Sequence, residues 1–172
     1  MNAASGPQVA RILGIDPGSR FTGYALVERS GNRLRCLRAG RFSLKGELPE
    51  RLEQLFRGLD ALIHDERPEL AAIEGIFHAR NAGSALILGQ ARGAAVVCCR
   101  LAGLEVLEYA PSTVKQAIVG TGRAEKEQVR KMLCMILGLQ ELPSLDASDA
   151  LALAVCAAQR QQSLLGAERS AR

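Results

Sequence analysis

From Val9 to Leu44 the apolar residues fall into short blocks divided by turn residues. Val9–Asp16 is an apolar run that ends on an acid and then on Pro17-Gly18-Ser19, the pattern of a buried strand meeting a turn. Phe21–Glu28 reads as a second strand returning after that turn, and Arg33–Leu44, with partial alternation, as a third. Three sequential strands with short connections form an antiparallel meander. At Leu48 the period changes. Leu48, Leu52, Leu55, Phe56, Leu59, Leu62 and Ile63 follow a 3.6-residue stripe, which predicts a helix over Leu48–Asp65 with Pro68 beyond its end. Glu69–Glu74 reads as a strand parallel to the first, reached by a helical crossover. Asn81–Ala102 reads as a long helix with small residues on every side, and Leu104–Tyr109 as a fifth strand. Thr113–Val119, Glu125–Leu137 and Ala147–Gln162 read as helices, with residues 1–8 and 163–172 as loose ends. The order β-β-β-α-β-α-β followed by helices describes an α/β fold, a five-stranded mixed sheet flanked by helices.

Composition narrows the class. The chain has 172 residues, 48% hydrophobic and 23% charged, which fits one globular domain and excludes a disordered or fibrous chain. No unbroken apolar run approaches the ~18 residues of a membrane span, so no membrane segment is expected. The N-terminus lacks a basic region followed by an apolar one, and a cytoplasmic location is the expectation. The five cysteines form no CxxC pair and only two histidines exist, so buried reduced thiols are expected rather than a zinc site.

Charge is uneven along the chain. Arg20–Lys45 holds seven basic residues and one acid, whereas Glu47–Glu74 holds eight acids and three arginines. A second basic set comprises Arg80, Arg92, Arg100, Lys115, Arg123, Lys126, Arg130 and Lys131. Such asymmetry suits a polyanionic partner. At 3% aromatics, a platform for stacking many single-stranded bases is not expected.

Four acids stand where burial makes them costly or where they gather. Asp16 ends one apolar strand and Glu74 ends another. An unpaired carboxylate at the end of a buried strand costs several kcal/mol. If the two strands run parallel as neighbours, both carboxylates emerge at the C-terminal sheet edge, where α/β folds bind ligands. Asp146 and Asp149 lie three apart at the start of the last helix and share a face, although the same spacing also reads as an N-cap with its capping box. Oxygen-rich clusters poor in histidine select hard cations, Mg²⁺ or Mn²⁺. Two such ions ~3.5–4 Å apart would serve an in-line phosphoryl displacement. Leaving those four acids aside, 22 basic residues face 14 acids, so the rest of the surface is free to attract phosphate.

These residues carry a resemblance. Gly14-Ile-Asp-Pro-Gly-Ser-Arg20 with Thr22-Gly23-Tyr24, Ala72-Ile-Glu-Gly-Ile-Phe77, Asn81-Ala-Gly-Ser-Ala-Leu86, Leu88-Gly-Gln-Ala-Arg-Gly93, Val114-Lys-Gln116, Ala124-Glu-Lys126 and Asp146-Ala-Ser-Asp-Ala-Leu151 occur in order from about residue 11 to 158. Together they resemble the RuvC family of bacterial Holliday-junction resolvases. The resemblance implies a ribonuclease-H-like fold, which the strand order also suggests. It implies a homodimer in which each subunit nicks one of two opposed strands, leaving a 5′-phosphate and a 3′-hydroxyl. By similarity Asp16, Glu74, Asp146 and Asp149 are the catalytic acids that hold two Mg²⁺ ions. Lys115, also catalytic, and Lys126 resemble the basic residues near the scissile phosphate. Phe77 resembles the aromatic that contacts bases at the crossover. Arg80, Arg92 and Arg123 are further expected DNA contacts. The RuvA–RuvB branch-migration machine is the implied partner, and the apolar helix Asn81–Ala102 is the expected dimer face. Three alternatives to a junction resolvase are an actin-like ATPase, for which 172 residues supply one domain of the two required, a junction-binding protein with a dead site, and a related nuclease of the same fold with a different DNA or RNA target.

Overall fold

The computed structural model describes residues 9–75, 82–142 and 144–170, with side chains as far as residue 161. Three strands open the chain: β1 (Val9–Asp16), β2 (Phe21–Ser30) and β3 (Arg33–Ser43). Helix α1 (Leu48–Glu66) leads to β4 (Leu70–Glu74), and α2 (Ala82–Leu101) to β5 (Glu105–Tyr109). Helices α3 (Pro111–Val119), α4 (Lys126–Leu137) and α5 (Leu145–Ser170) complete the order. The five strands form one sheet in the order β3-β2-β1-β4-β5. β1–β2 and β2–β3 pair antiparallel, whereas β1–β4 and β4–β5 pair parallel. This is the mixed, ribonuclease-H-like sheet expected from the sequence.

The pleat sends alternate residues to opposite faces. Leu13, Ile15, Leu26, Ala71 and Ile73 pack on one side with Leu55, Leu59 and Leu62 of α1 and Ala91, Ala95, Cys98 and Cys99 of α2. Ile12, Ala25, Val27, Leu70 and Ala72 pack on the other with α3, α4 and the long buried run Ala150–Ala158 of α5. α1 opens with the reciprocal hydrogen bonds of Glu47 and Glu50, a capping box that completes the first turn. It closes on Arg67, left-handed at φ 50°, whose N–H donates to the Ile63 carbonyl.

α5 lies almost directly on the sheet backbone. A Cβ on Gly14 would come within 1.9 Å of the Ala150 carbonyl oxygen, and one on Gly23 within 2.0 Å of the Asp146 carbonyl oxygen. Those two glycines and the alanines of α5 permit the close approach. α5 is longer at both ends than the Ala147–Gln162 expected.

The outer face of α2 is apolar. Among the described residues this one helix is long and apolar enough, at a mean hydropathy of 1.4, to meet the length and composition of a membrane span. Its apolar residues form no unbroken run, because Ser84, Gln90, Arg92 and Arg100 interrupt them. Its inner stripe of Ala91, Ala95, Cys98 and Cys99 is buried, while Leu86, Val97 and Leu101 are exposed. All five cysteines are free; Cys98, Cys99 and Cys156 are buried as expected, but Cys36 and Cys134 only partly so.

Candidate active site

One rung of the sheet organises the site. Ile15 pairs with Ile73 in the parallel β1–β4 ladder, so Asp16 and Glu74 end their strands side by side. Ile12, Leu70 and Ala72 face α5, and the two acids fall on that same face by alternation. The rung continues outward: Asp16 pairs with Gly23, Gly23 with Arg41, and Glu74 with Tyr109. The turn after Asp16 is held at two points. Gly18 N–H donates to Thr22 Oγ1 over 3.3 Å, and Arg51 Nη1 donates to the Ser19 carbonyl over 2.6 Å.

Above this rung lies the first turn of α5. Ser144 is its cap: Ser144 Oγ accepts from Ala147 N–H at 3.2 Å. The capping reading of Asp146 and Asp149 is thereby overturned, because the helix begins two residues earlier and a hydroxyl serves its N-terminus. Both carboxylates are left to project from the first turns. Asp146 Oδ2 accepts from Arg41 Nη1 at 3.2 Å, and Asp149 Oδ2 from Lys126 Nζ at 3.3 Å.

The electrostatics show a surplus of negative charge. The Asp16 carboxyl is pushed up to about 7, first by burial and then by repulsion from Glu74, Asp149 and Asp146, with Lys126 opposing. Glu74 is raised by burial and by Asp149, again against Lys126. The four carboxylates supply only oxygen donors, the chemistry of a hard cation. As they stand, however, no three Asp, Glu, Cys or His side chains among the described residues are gathered closely enough to hold one ion. Asp146 and Asp149 are turned to their basic partners instead.

A cleft of about 180 Å³ brings Asp16, Glu74 and Asp149 together with Lys115, Lys126 and Arg130. Lys115 reaches it from α3, and Lys126 from the first position of α4. Arg123 is exposed on the loop between those helices. Arg92 is engaged elsewhere: its Nε donates to the Glu74 carbonyl at 3.2 Å and its guanidinium pairs with Glu108. Only 18% of its side chain is exposed, and these contacts tie it to the ends of β4 and β5. Phe77 and Arg80 lie outside the described residues. Two residues at the site had no individual signal in the sequence. Arg41 was one of seven cations in a run, and Arg130 one of a second set; only the register of β3 and the packing of α4 bring them here.

Comparison with known proteins agrees with this arrangement. Residues 12–157 match the family described as crossover junction endodeoxyribonuclease RuvC. The protein of that name from Citrifermentans bemidjiense is 54% identical over 147 residues, 84% of this chain and 90% of its own. The structure of Thermus thermophilus RuvC in complex with a Holliday junction substrate is 34% identical, covers 90% of this chain and 96% of its own, and superposes with a TM-score of 0.85. The yeast mitochondrial Holliday junction resolvase Ydc2 shares the fold alone, at 14% identity and a TM-score of 0.68, over 97% of this chain and 85% of its own. With the motifs in order, the acids at one sheet edge and the match spanning nearly the whole sheet and its helices, this chain belongs to the RuvC family of crossover junction endodeoxyribonucleases.

Proposed function

We propose that this chain resolves four-way DNA (Holliday) junctions in recombination and repair. It acts as a homodimer in which each subunit nicks one of two opposed strands, leaving 5′-phosphate and 3′-hydroxyl ends. The observation that carries this reading is the parallel pairing of β1 with β4, which ends two acids together beneath the turn of α5 that bears two more. Membership of the RuvC family and likeness to a relative solved with a Holliday junction substrate support it.

In this reading Asp16, Glu74, Asp146 and Asp149 hold two divalent ions, Mg²⁺ or alternatively Mn²⁺. Bound there, such ions neutralise charge on the attacking and leaving oxygens of an in-line displacement. The chain's own residues do the rest. The four acids would keep the ions in place, and burial of Asp16 and Glu74 limits the water around them. Lys115 and Lys126 bind the scissile phosphate, with Lys126 exchanging Asp149 for it. Arg123, together with Arg80, extends the basic surface along the DNA, and Phe77 contacts bases at the crossover. Arg92 keeps the Glu74 backbone in place. A two-fold junction matches a two-fold dimer, and the exposed Leu86, Val97 and Leu101 of α2 are the surface a second copy covers. The protein works in the cytoplasm, unattached to membrane, with the RuvA–RuvB branch-migration complex.

The test compares wild type with Asp146→Asn on labelled four-way junction and on plain duplex. The expected outcome is that both proteins bind the junction and only wild type cuts it, at paired, symmetric positions. Equal cleavage by Asp146→Asn, or equal cutting of duplex, would overturn the reading.

A further inference from the structure

We propose that Arg41 is a positioning residue that competes with a divalent ion for Asp146, so that one arginine on the edge strand sets how tightly the acidic cluster takes metal. This rests on the reading of the four acids as ion ligands. Arg41 faces Asp16 along one rung of the sheet with only Gly23 between them. Gly23 has no side chain, and the backbone of Asp146 sits directly over it. The helix is thus seated low enough on the sheet for the Arg41 side chain to reach its first turn. Its Nη1 meets Asp146 Oδ2 at 3.2 Å, on the side of Asp146 away from β4. Its guanidinium is braced from below, 4.4 Å from the centroid of the Phe21 ring. A planar cation stacked on an aromatic face is held in one orientation, which a lysine in the same place would not be.

The consequence follows from the rest of the site. Strand pairing fixes the backbones of Asp16 and Glu74, whereas Asp146 stands on the first turn of α5 with a partly exposed side chain. Asp146 and Asp149 are each engaged by a basic partner, Arg41 and Lys126, and no ligand set is gathered among the described residues. The pair is half exposed, with 47% of the Arg41 side chain and 34% of the Asp146 side chain accessible. An ion pair of that kind is weak, so it retards ion binding without blocking it. When Asp146 turns inward, Arg41 is left as an unpaired cation at the rim of the cleft.

The experiment titrates the full-length protein with Mn²⁺ in the absence of DNA, reading free Mn²⁺ by electron paramagnetic resonance. Arg41→Gln should bind Mn²⁺ more tightly by up to roughly fivefold, the upper end for an exposed pair. Arg41→Lys, which keeps the charge, should lie closer to wild type. In an Asp146→Asn background the effect of Arg41→Gln should vanish, because its only route is through that carboxylate. If Arg41→Gln leaves affinity unchanged while Asp16→Asn weakens it, the role of Arg41 falls and the metal reading stands. A full effect of Arg41→Gln persisting with Asp146→Asn would mean that Arg41 acts by general charge, which also overturns the inference. Indifference of Mn²⁺ affinity to Asp16→Asn would remove the metal site itself, and this inference with it.

Discussion

A carboxyl raised from 3.8 to about 7 makes Asp16 a measurable burden on the metal-free protein. Between those values the folded chain holds a proton that the unfolded chain has already released. The contribution of this group to stability is therefore fully present at about pH 4, declines as pH rises and is lost once pH has passed about 7. Asp16→Asn is neutral throughout. Metal-free Asp16→Asn should melt above metal-free wild type at about pH 8, and the gap should close on acidification towards about pH 4. A constant gap across that range would show that Asp16 is not strained by burial and its neighbours. The sequence revealed Asp16 and Glu74 because an acid ending an apolar run has no cheap bland explanation. It did not separate Asp146 from a helix cap, because aspartate and serine both make good caps and only the hydrogen bond of Ser144 to Ala147 decides between them. Nor could it find Arg41, whose facing depends on a register shift in the β2–β3 ladder near Leu26 and Val27 that moves every later side chain of β3.

At the scale of elements, the site depends on how closely α5 lies on β1 and β2. Gly23 is the most direct place to disturb that contact, since a methyl group there would meet the Asp146 carbonyl oxygen. Gly23→Ala should cost about 1–3 kcal/mol by overpacking. It should also cut junction cleavage far more than junction binding, because the helix turn bearing Asp146 and Asp149 must lift. Thermal melts and gel-shift assays check the two parts; a variant that melts and cleaves like wild type would contradict the seating of α5. The strand order was legible because its signals are local: apolar runs, turn residues, and a 3.6-residue stripe between β3 and β4. Element ends were less so. α3 begins at Pro111 rather than Thr113, a residue whose fixed φ suits a first helical turn, and β2 continues past Glu28 to Ser30 because its partner strand is long enough to pair it.

For the whole molecule, the apolar exterior of α2 and the uneven charge are the features that reach beyond one subunit. Leu101 is 75% exposed and Val97 52%, a poor arrangement for a lone soluble chain. Sedimentation equilibrium should give a dimer for wild type and a monomer for a Val97→Asp, Leu101→Asp double variant. A monomeric wild type at micromolar concentration, or a variant that dimerises normally, would contradict the assignment of that face. Composition pointed to a polyanion and patterning to an apolar helix, but neither showed which side of α2 is open; that follows from the packing of Ala91, Ala95, Cys98 and Cys99 beneath it. In the proposed function Asp16, Glu74, Asp146 and Asp149 act together through bound divalent ions to cut a junction. The most direct measurement is strand scission of a labelled four-way junction by one preparation, first thoroughly chelated and then supplied with Mg²⁺. Chelation should abolish cleavage, and restoring the ion should return paired, symmetric nicks. Undiminished scission in the chelated sample would contradict that function.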